Sequence, residues 1–323
     1  MTLIDKYLTY IATVRRYSGL TQENYRRVLC GFADYSARER GETDIADGQL
    51  LEDLSPRGIR SYEIYLLDER KESERTVNLH LSVLSGFCRH LMKEGLLASN
   101  PVKSVARPKM EKRLPEFYRE DSMREYFEST AFLVDEFEAF SGPEYFSARL
   151  NRLIINMLYC TGMRRSELIS LNVGSVDFSR SVLRVHGKGD KIREIPLVAS
   201  LCKEISLYLN AVETMAGSER TASDPLLVTD RFRRLYPVYV DRAVKSGLGG
   251  IRSITGRKSP HVLRHTLATA LLDDGADLNS IKELLGHSSL AATQVYTHNS
   301  VAKLKKVYNN AHPRAKNGEK HGD

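Results

Sequence analysis

The sequence predicts a mainly α-helical protein of two domains, with a small antiparallel β-sheet in the second domain. A chain of 323 residues is long for one core and comfortable for two. Apolar residues recur at the three-and-four spacing of helices over the first hundred positions, whereas short segments further along alternate like strands. A basic, proline-containing stretch separates these two patterns.

Four helices are predicted in the N-terminal domain. The first two place apolar residues on one face over positions 3–14 and 25–35. Ser55 and Pro56 mark the start of the third helix, as an N-cap followed by proline at the first helical position. The fourth helix ends at Gly95, because glycine commonly follows the last helical residue.

The second domain combines helices with three short strands. Alternation of apolar and polar residues predicts strands over 176–178, 182–185 and 192–197. The segment 187–190 contains two glycines, which allow a tight reversal that presents Lys188 at its tip. Helical spacing predicts four further elements: 153–159, 260–274, 280–285 and 288–296.

The domain boundary is placed in residues 100–115, which hold three prolines and five basic residues with little periodicity. An extended linker fits this composition. We therefore predict a helical domain over 1–100, a linker over 101–115, a second domain over 116–312 and a polar tail over 313–323.

Composition favours a soluble globular protein that binds polyanions. Hydrophobic residues make up 41% and charged residues 28% of the chain, and the net charge of +7 attracts phosphate groups. Charge alone does not establish nucleic-acid binding. Five polar residues of the fourth helix would lie along a DNA backbone or form a solvated surface equally well: Arg75, Asn78, Ser82, Ser85 and Arg89.

The cysteines and the hydropathy pattern predict a cytoplasmic protein without a membrane segment. The four cysteines are widely spaced and form no CxxC pair, which excludes a dense disulfide framework and a zinc clip of that type. No run of about 18 apolar residues occurs, as a membrane span would need.

A histidine and an arginine lie three positions apart in the segment SPHVLRHTLATALL. His261 and Arg264 therefore emerge on one side of a helix and can point at one ligand. A guanidinium group forks onto two phosphate oxygens, and an imidazole donates to phosphate or moves a proton. A surface helix with chance polar residues would show the same pair. His261 and His265 have metal-pair spacing, but the glutamate of HExxH and a third ligand are missing, so no metal is predicted.

Two further segments carry residues of the same kind. In TGMRRSELISL, Gly162 breaks the chain before Arg164, which a helix start would present to an anion. Glu167 either orients neighbouring groups or forms a buried structural ion pair. In LLGHSSLAATQVYTH, His287 precedes a short helix and Tyr296 lies near its end. Tyr296 alone would suit a core or surface position as well as a nucleophile.

The order and local context of these residues resemble the tyrosine recombinases, also called the phage integrase family. Five motifs carry the likeness: TGMRRSEL with Arg164, HGKGDKIREIPL with Lys188, HVLRH with His261 and Arg264, LLGHSS with His287, and QVYTH with Tyr296. The N-terminal helices, the PKMEKRLP linker and the HPRA segment resemble the Xer recombinases, bacterial enzymes that resolve chromosome dimers. A longer segment near 133–146 and a loop near 246–256 differ from a compact Xer protein and leave the subgroup open.

The resemblance implies a C-shaped clamp around DNA, formed by a SAM-like helical N-terminal domain and a tyrosine recombinase catalytic domain. It also implies that Tyr296 attacks a scissile phosphate and forms a 3′-phosphotyrosyl bond, without ATP, metal or another cofactor. The phosphate oxygens are then clamped by Arg164 and Arg264 and receive a hydrogen bond from His287. The remaining implied roles are protonation of the leaving 5′ oxygen by Lys188, movement of the tyrosine proton by His261, and support by Glu167.

The same resemblance implies that four protomers act on two double-stranded DNA sites and exchange strands through a Holliday junction. The tetramer is either four identical chains or a heterotetramer with a related recombinase, and a DNA translocase is a candidate activator. A dif-like chromosomal site is the expected target. The alternatives are an integrase of a mobile element or prophage, a type IB topoisomerase and a non-catalytic DNA-binding accessory protein. The target sequence and the direction of recombination do not follow from the residues.

Overall fold

Helices make up most of the described residues, and the chain divides into two compact units, Met1–Arg113 and Leu114–Asp323. The computed structural model describes four ranges: 1–109, 116–135, 142–187 and 192–286. Each unit has its own hydrophobic core. Within those four ranges, no helix is long and apolar enough to cross a membrane.

The described part of the first unit consists of helices and connecting turns. Its α-helices are α1 (Leu3–Thr13), α2 (Gly19–Glu39), α3 (Asp47–Asp53), α4 (Pro56–Ile64) and α5 (Glu74–Lys93). A π-helical segment, Tyr65–Glu69, continues α4, and a 3-10 helix, Pro101–Ser104, follows α5. The four predicted helices are confirmed. The additional helix α3 is short and buries only Leu50, so its sequence carries no clear helical period.

Helix ends follow the predicted signals with one exception. The Ser55 hydroxyl accepts a hydrogen bond from the Gly58 amide at the start of α4. After α5 the chain reverses at Gly95, whose φ of +73° favours glycine. Val14 was expected on the buried face of the first helix, but it is 66% exposed because α1 ends at Thr13.

Polar side chains of α5 hold the segment that follows this helix. Asn78 Nδ2 donates to the Pro108 carbonyl at 3.0 Å, and Arg107 Nη1 donates to Ser82 Oγ at 2.9 Å. These contacts give Asn78 and Ser82 a structural role within the first unit. Val102 packs in the core of the first unit, so the start of the predicted linker packs against the helices of this unit.

The second unit is built around one buried helix. Its helices are α6 (Glu120–Ser129), α7 (Phe132–Asp135), α8 (Pro143–Thr161), α9 (Arg165–Ser170), α10 (Ala199–Ala216), α11 (Pro237–Gly247), α12 (Pro260–Asp273) and α13 (Leu278–Leu285). Every side chain of α8 from Leu153 to Thr161 is buried, and α10, α11 and α12 pack against this helix. The predicted helices at 153–159, 260–274 and 280–285 are confirmed.

A three-stranded antiparallel sheet completes the second unit and confirms the predicted fold class. Its strands, in the order β1-β2-β3, are β1 (Val176–Asp177), β2 (Val182–His186) and β3 (Ile192–Pro196). Leu183 pairs with Ile195, and Val185 pairs with Arg193. All four side chains are buried, so the core-facing side of β3 includes a charged residue.

Three predictions fall outside the described residues. They concern the hairpin tip with Lys188, the helix over 288–296 and the polar tail over 313–323. The domain boundaries at 100, 115 and 312 and the clamp shape also stay predictions.

Candidate functional site

A glycine turn brings Arg164 to the start of α9. Helix α8 ends at Gly162, whose φ is +60°. A Cβ atom at this position would lie 2.5 Å from Leu285 Cδ2 and 2.9 Å from Leu267 Cδ2. Both the backbone conformation and the close approach therefore require glycine. Two residues later, Arg164 takes the N-cap position of α9, and its side chain stays 39% exposed.

Glu167 is the centre of a buried ion-pair network. Its carboxylate accepts hydrogen bonds from the Arg164 backbone amide at 2.8 Å and from Arg164 Nη1 at 2.7 Å. Arg193 on β3 donates to both carboxylate oxygens, at 3.0 and 2.8 Å. Burial raises the pKa of Glu167, but hydrogen bonds from Arg193 and Arg164 outweigh burial and lower the pKa below its ordinary value of 4.5. Glu167 is thus an orienting group and a buried ion-pair partner at once.

Arg193 is a residue of this site that the sequence analysis does not single out, although it lies within the motif HGKGDKIREIPL. Its side chain is buried, and its Nε donates to the Leu284 carbonyl at 3.0 Å. The signal that would find it is strand alternation, because Arg193 and Ile195 occupy the inward positions of β3. A charge at an inward position needs an opposite charge nearby, which Glu167 supplies.

Helix α12 holds the second predicted arginine inside the protein. Arg264 Nη1 donates to the Gly162 carbonyl at 2.6 Å, and Nη2 donates to the Leu285 carbonyl at 2.7 Å. Burial lowers the pKa of the Arg264 guanidinium to about 10, and the nearby charge of Arg164 acts in the same direction. The group remains protonated at neutral pH. A bound anion would raise this pKa again, because it offsets the repulsion between the two arginines.

Arg164 and Arg264 converge on one short peptide segment. Arg164 Nη2 donates to the Gly286 carbonyl at 2.9 Å, directly beside the Leu285 carbonyl that Arg264 binds. Gly286 has a φ of +67° and ends α13. In the sequence it is followed by His287. The fold therefore brings Arg164 and Arg264 to the peptide that immediately precedes His287, another residue of the predicted site.

His261 lies one helical turn before Arg264 on α12, as the spacing predicts. It differs from Arg264 in being exposed. Its Nε2 atom lies 3.0 Å from Nε2 of His265, so one imidazole donates a hydrogen bond to the other. Among the residues that the structure describes, no group of three or more metal-ligating side chains occurs.

The described cluster is suited to binding an anion. Arg164 and Arg193 donate hydrogen bonds to the Glu167 carboxylate, whereas Arg264 donates to two backbone carbonyls. These three guanidinium groups carry more positive charge than the single Glu167 carboxylate offsets. Guanidinium groups bind phosphate through paired hydrogen bonds and stabilise negative charge that develops on its oxygens. The predicted residues Lys188, His287 and Tyr296 lie outside the described ranges.

Two family descriptions match the chain. The phage integrase family matches residues 138–303, and the phage integrase N-terminal SAM-like domain matches residues 4–95. The chain is also 38% identical over 315 residues to the tyrosine recombinase XerC of Bacillus subtilis (strain 168). This similarity covers 97% of the chain and 96% of that protein.

Solved structures show a similar fold. The XerH site-specific recombinase bound to a palindromic difH substrate, in a post-cleavage complex, matches with a TM-score of 0.66 at 17% identity, covering 98% of this chain and 83% of that one. A lambda integrase tetramer bound to a Holliday junction matches with a TM-score of 0.61 at 21% identity, covering 91% and 79%. At these identities the similarity is one of fold.

Proposed function

The chain belongs to the phage integrase family of recombinases that break and rejoin DNA, and we propose that it resolves chromosome dimers at a dif-like site through a covalent bond between Tyr296 and a DNA 3′ phosphate. The meeting of Arg164 and Arg264 beside the peptide that precedes His287 supports this proposal most directly. Near-full-length similarity to a XerC protein supports the chromosomal role.

In the proposed reaction, Tyr296 attacks the scissile phosphate and displaces the 5′ oxygen of the next nucleotide. A phenol has an ordinary pKa of about 10, so a tyrosine needs cationic surroundings or a base to react at neutral pH. Arg164 and Arg264 provide the cationic surroundings and bind the non-bridging oxygens, with His287 donating a further hydrogen bond. The accessible side chain of Arg164 suits direct contact with DNA.

Two proton transfers accompany this displacement. His261 helps to remove the tyrosine proton, and its exposed position on α12 fits contact with a substrate. Lys188, which lies between β2 and β3 in the sequence, protonates the leaving 5′ oxygen. The phosphate ester energy is kept in the tyrosine linkage, so the 5′ hydroxyl of another strand can rejoin the DNA without ATP.

Four protomers on two DNA sites are proposed to carry out strand exchange. The lambda integrase structure of similar fold is a tetramer on a Holliday junction, which supports such an assembly. We assign residues from Val301 onward to docking between neighbouring protomers, in a contact that closes a ring. Truncation before Val301 keeps Tyr296 and should leave DNA binding nearly unchanged while it impairs synapsis and coordinated cleavage. Unchanged recombination by this truncated chain would refute the docking role.

A nicked suicide duplex tests the nucleophile. Duplexes from the terminus region of the host chromosome are incubated with the wild type, Tyr296→Phe and the control Tyr236→Phe, which changes an exposed tyrosine of the second unit, and products are separated on a denaturing gel. The wild type and Tyr236→Phe should form a protein–DNA adduct through a 3′ phosphate, and Tyr296→Phe should form none. Tight binding without an adduct on any duplex would instead favour a non-catalytic accessory protein.

Recombination between two such sites separates the chromosomal role from its alternative. Plasmids that carry paired terminus sites should recombine, and plasmids that carry attachment sites of a mobile element should not. The reverse result would favour an integrase of a mobile element. Relaxation of supercoiled DNA without any strand exchange would favour a topoisomerase.

A further inference from the structure

A tight turn in the second unit presents an aromatic ring between arginines. Residues 229–233, called the Phe232 turn below, are closed by a hydrogen bond from the Phe232 amide to the Thr229 carbonyl at 2.9 Å and another from the Thr229 amide to the Arg233 carbonyl at 2.8 Å. Val228 and Arg234 pair as an antiparallel bridge beneath it. The turn is therefore a small, well-defined hairpin.

Phe232 adopts a backbone conformation that its side chain disfavours. Its φ is +56°, in the left-handed region where the Cβ atom approaches the carbonyl oxygen. A hairpin loop of this length usually places glycine at such a position. A bulky aromatic residue with positive φ is uncommon and persists where the surrounding hydrogen bonds impose it.

The ring of Phe232 also points partly into solvent. Phe232 is 43% exposed, whereas Val228 and Leu235 on either side of the turn are buried. The position thus combines a strained backbone with an exposed apolar group. Neither feature stabilises the isolated protein, and a backbone strain of this kind clusters at binding and functional sites.

Charge identifies the class of partner. Arg231 and Arg233 are the sequence neighbours of Phe232 in this turn, and both are exposed. Asp230 offsets one of these charges. Exposed guanidinium groups beside an aromatic ring match a nucleic acid, whose phosphates bind arginine and whose bases and sugars pack against aromatic faces.

The turn is anchored near the candidate site. Arg234 Nη1 donates to the Ile169 and Leu171 carbonyls at 2.9 and 3.0 Å, at the C-terminal end of α9. Arg164 caps the N-terminal end of the same helix, whose six residues span about 9 Å at about 1.5 Å per residue. Duplex DNA rises about 3.4 Å per base pair, so this length equals about three base-pair steps.

We propose that the Phe232 turn is a DNA-contacting element, in which Arg231 and Arg233 bind backbone phosphates and the Phe232 ring packs against the duplex near the cleaved phosphate. This inference rests on the proposed contact of Arg164 with that phosphate. The imposed backbone conformation holds the ring in place before DNA arrives, so little conformational entropy is lost on binding.

Affinity for a fluorescent random-sequence duplex, measured by anisotropy at several salt concentrations, tests the proposal without a known recombination site. Phe232→Ala and Phe232→Gly should each weaken binding about fivefold, the size expected when part of an apolar side chain is no longer buried against the duplex, while Phe232→Tyr keeps wild-type affinity. Arg231→Gln with Arg233→Gln should lower the slope of log affinity against log salt by about 1.8, at about 0.9 per phosphate. Phe178, equally exposed in the β1–β2 turn, provides the control Phe178→Ala, which should bind like the wild type.

Thermal melting of the same variants checks the backbone conformation. Phe232→Gly and Phe232→Ala both lack the ring, but only alanine places a Cβ atom at a φ of +56°. The glycine variant should therefore melt about 2 to 4 °C above the alanine variant while the two bind DNA equally weakly. Wild-type affinity in both variants, together with an unchanged salt slope in the double arginine variant, would overturn the proposal. That result would leave the Tyr296 adduct test unaffected. Failure of the Phe232-turn proposal is therefore distinguishable from failure of the proposed function.

Discussion

Arg193 on β3 holds both carboxylate oxygens of Glu167, at 3.0 and 2.8 Å, although the two residues are 26 positions apart in the chain. Both side chains are buried. Glu167 in turn receives two hydrogen bonds from Arg164, one from its backbone amide and one from its guanidinium group. The pair therefore connects the sheet to the N-terminal end of α9 and fixes the direction of Arg164.

Replacement of Arg193 by lysine should slow DNA cleavage more than it weakens DNA binding. Lysine keeps the positive charge but loses the fork that engages both oxygens of Glu167, so Arg164 is less well fixed. We expect the rate of adduct formation with a nicked duplex to fall about 10- to 100-fold, the size of effect that a misplacement of about 1 Å produces. Anisotropy with the same duplex should show nearly wild-type affinity.

A methylphosphonate at the cleaved position provides the control for this variant. The methyl group removes the phosphate charge that Arg164 is proposed to neutralise, so a misdirected Arg164 should matter less on this substrate. Arg193→Lys and Arg164→Ala should then approach the wild-type rate. An equal defect on both substrates would mean that Arg193→Lys damages the fold in general and does not act through Arg164.

Replacement of Arg264 by lysine should create a pH dependence that the wild type lacks. Burial and the charge of Arg164 lower the pKa of a cation at this position, to about 10 for the guanidinium group. Lysine begins from a lower ordinary pKa than arginine, so the same causes bring its pKa toward neutrality. The rate of cleavage at limiting DNA, which reports the pKa of the free protein, should therefore fall for Arg264→Lys as pH rises above neutrality, because the amine loses its proton. A parallel decline in the wild type would contradict this assignment.

Local patterns predict those parts of the fold that short segments determine. The helix over 260–274 follows from apolar spacing, and the strands follow from alternation with a glycine turn. His261 and Arg264 lie one turn apart because a helix fixes that relationship. Their spacing in the sequence therefore predicts their arrangement on α12.

Long-range pairings do not follow from spacing. No local feature tells which of the acidic residues will meet Arg193, because the partner lies on another element. The buried contact of Asn156 with Glu204, at 2.5 Å between α8 and α10, is hidden for the same reason. The left-handed backbone of Phe232 is also unexpected, since the sequence there lacks the glycine that would signal it.

Glu167→Gln should destabilise the second unit at neutral pH and lose that effect in acid. Arg193 and Arg164 hold the pKa of Glu167 below its ordinary value against the effect of burial, so the ionised carboxylate stabilises the folded state above about pH 4.5. This contribution disappears as pH falls through the lower pKa of the folded protein. Denaturant unfolding should show a loss of about 2 to 4 kcal/mol at pH 7 that shrinks below pH 4.5.

The neighbouring residue Glu194 provides the control for this pH series. It pairs with Arg180 and Arg184 at a more exposed position on β3, where an ion pair contributes about 0 to 1 kcal/mol. Glu194→Gln should therefore change the free energy of unfolding less than Glu167→Gln at pH 7. Equal losses from both variants would show that burial of the Glu167 pair adds nothing to stability.

Gly162→Ala should destabilise the second unit and disable cleavage. Gly217→Ala should destabilise it less and leave cleavage intact. Both glycines end a helix in the left-handed conformation, with φ of +60° and +65°. Alanine is disfavoured there, so each substitution should lower the free energy of unfolding by about 1 kcal/mol through the backbone alone. They differ in their surroundings. A Cβ atom at Gly162 would lie 2.5 Å from Leu285 Cδ2, whereas nothing lies within 4 Å of one at Gly217.

The extra cost at Gly162 falls on the candidate site itself. Its carbonyl accepts a hydrogen bond from Arg264, and Leu285, which must move away from the new Cβ atom, provides the second carbonyl that Arg264 binds. We expect Gly162→Ala to lose about 2 to 4 kcal/mol of unfolding free energy and to form little adduct even at temperatures where it is folded. Gly217→Ala should lose about 1 kcal/mol and cleave at the wild-type rate. Equal losses in the two variants, measured by denaturant unfolding, would mean that the backbone conformation alone accounts for glycine at position 162.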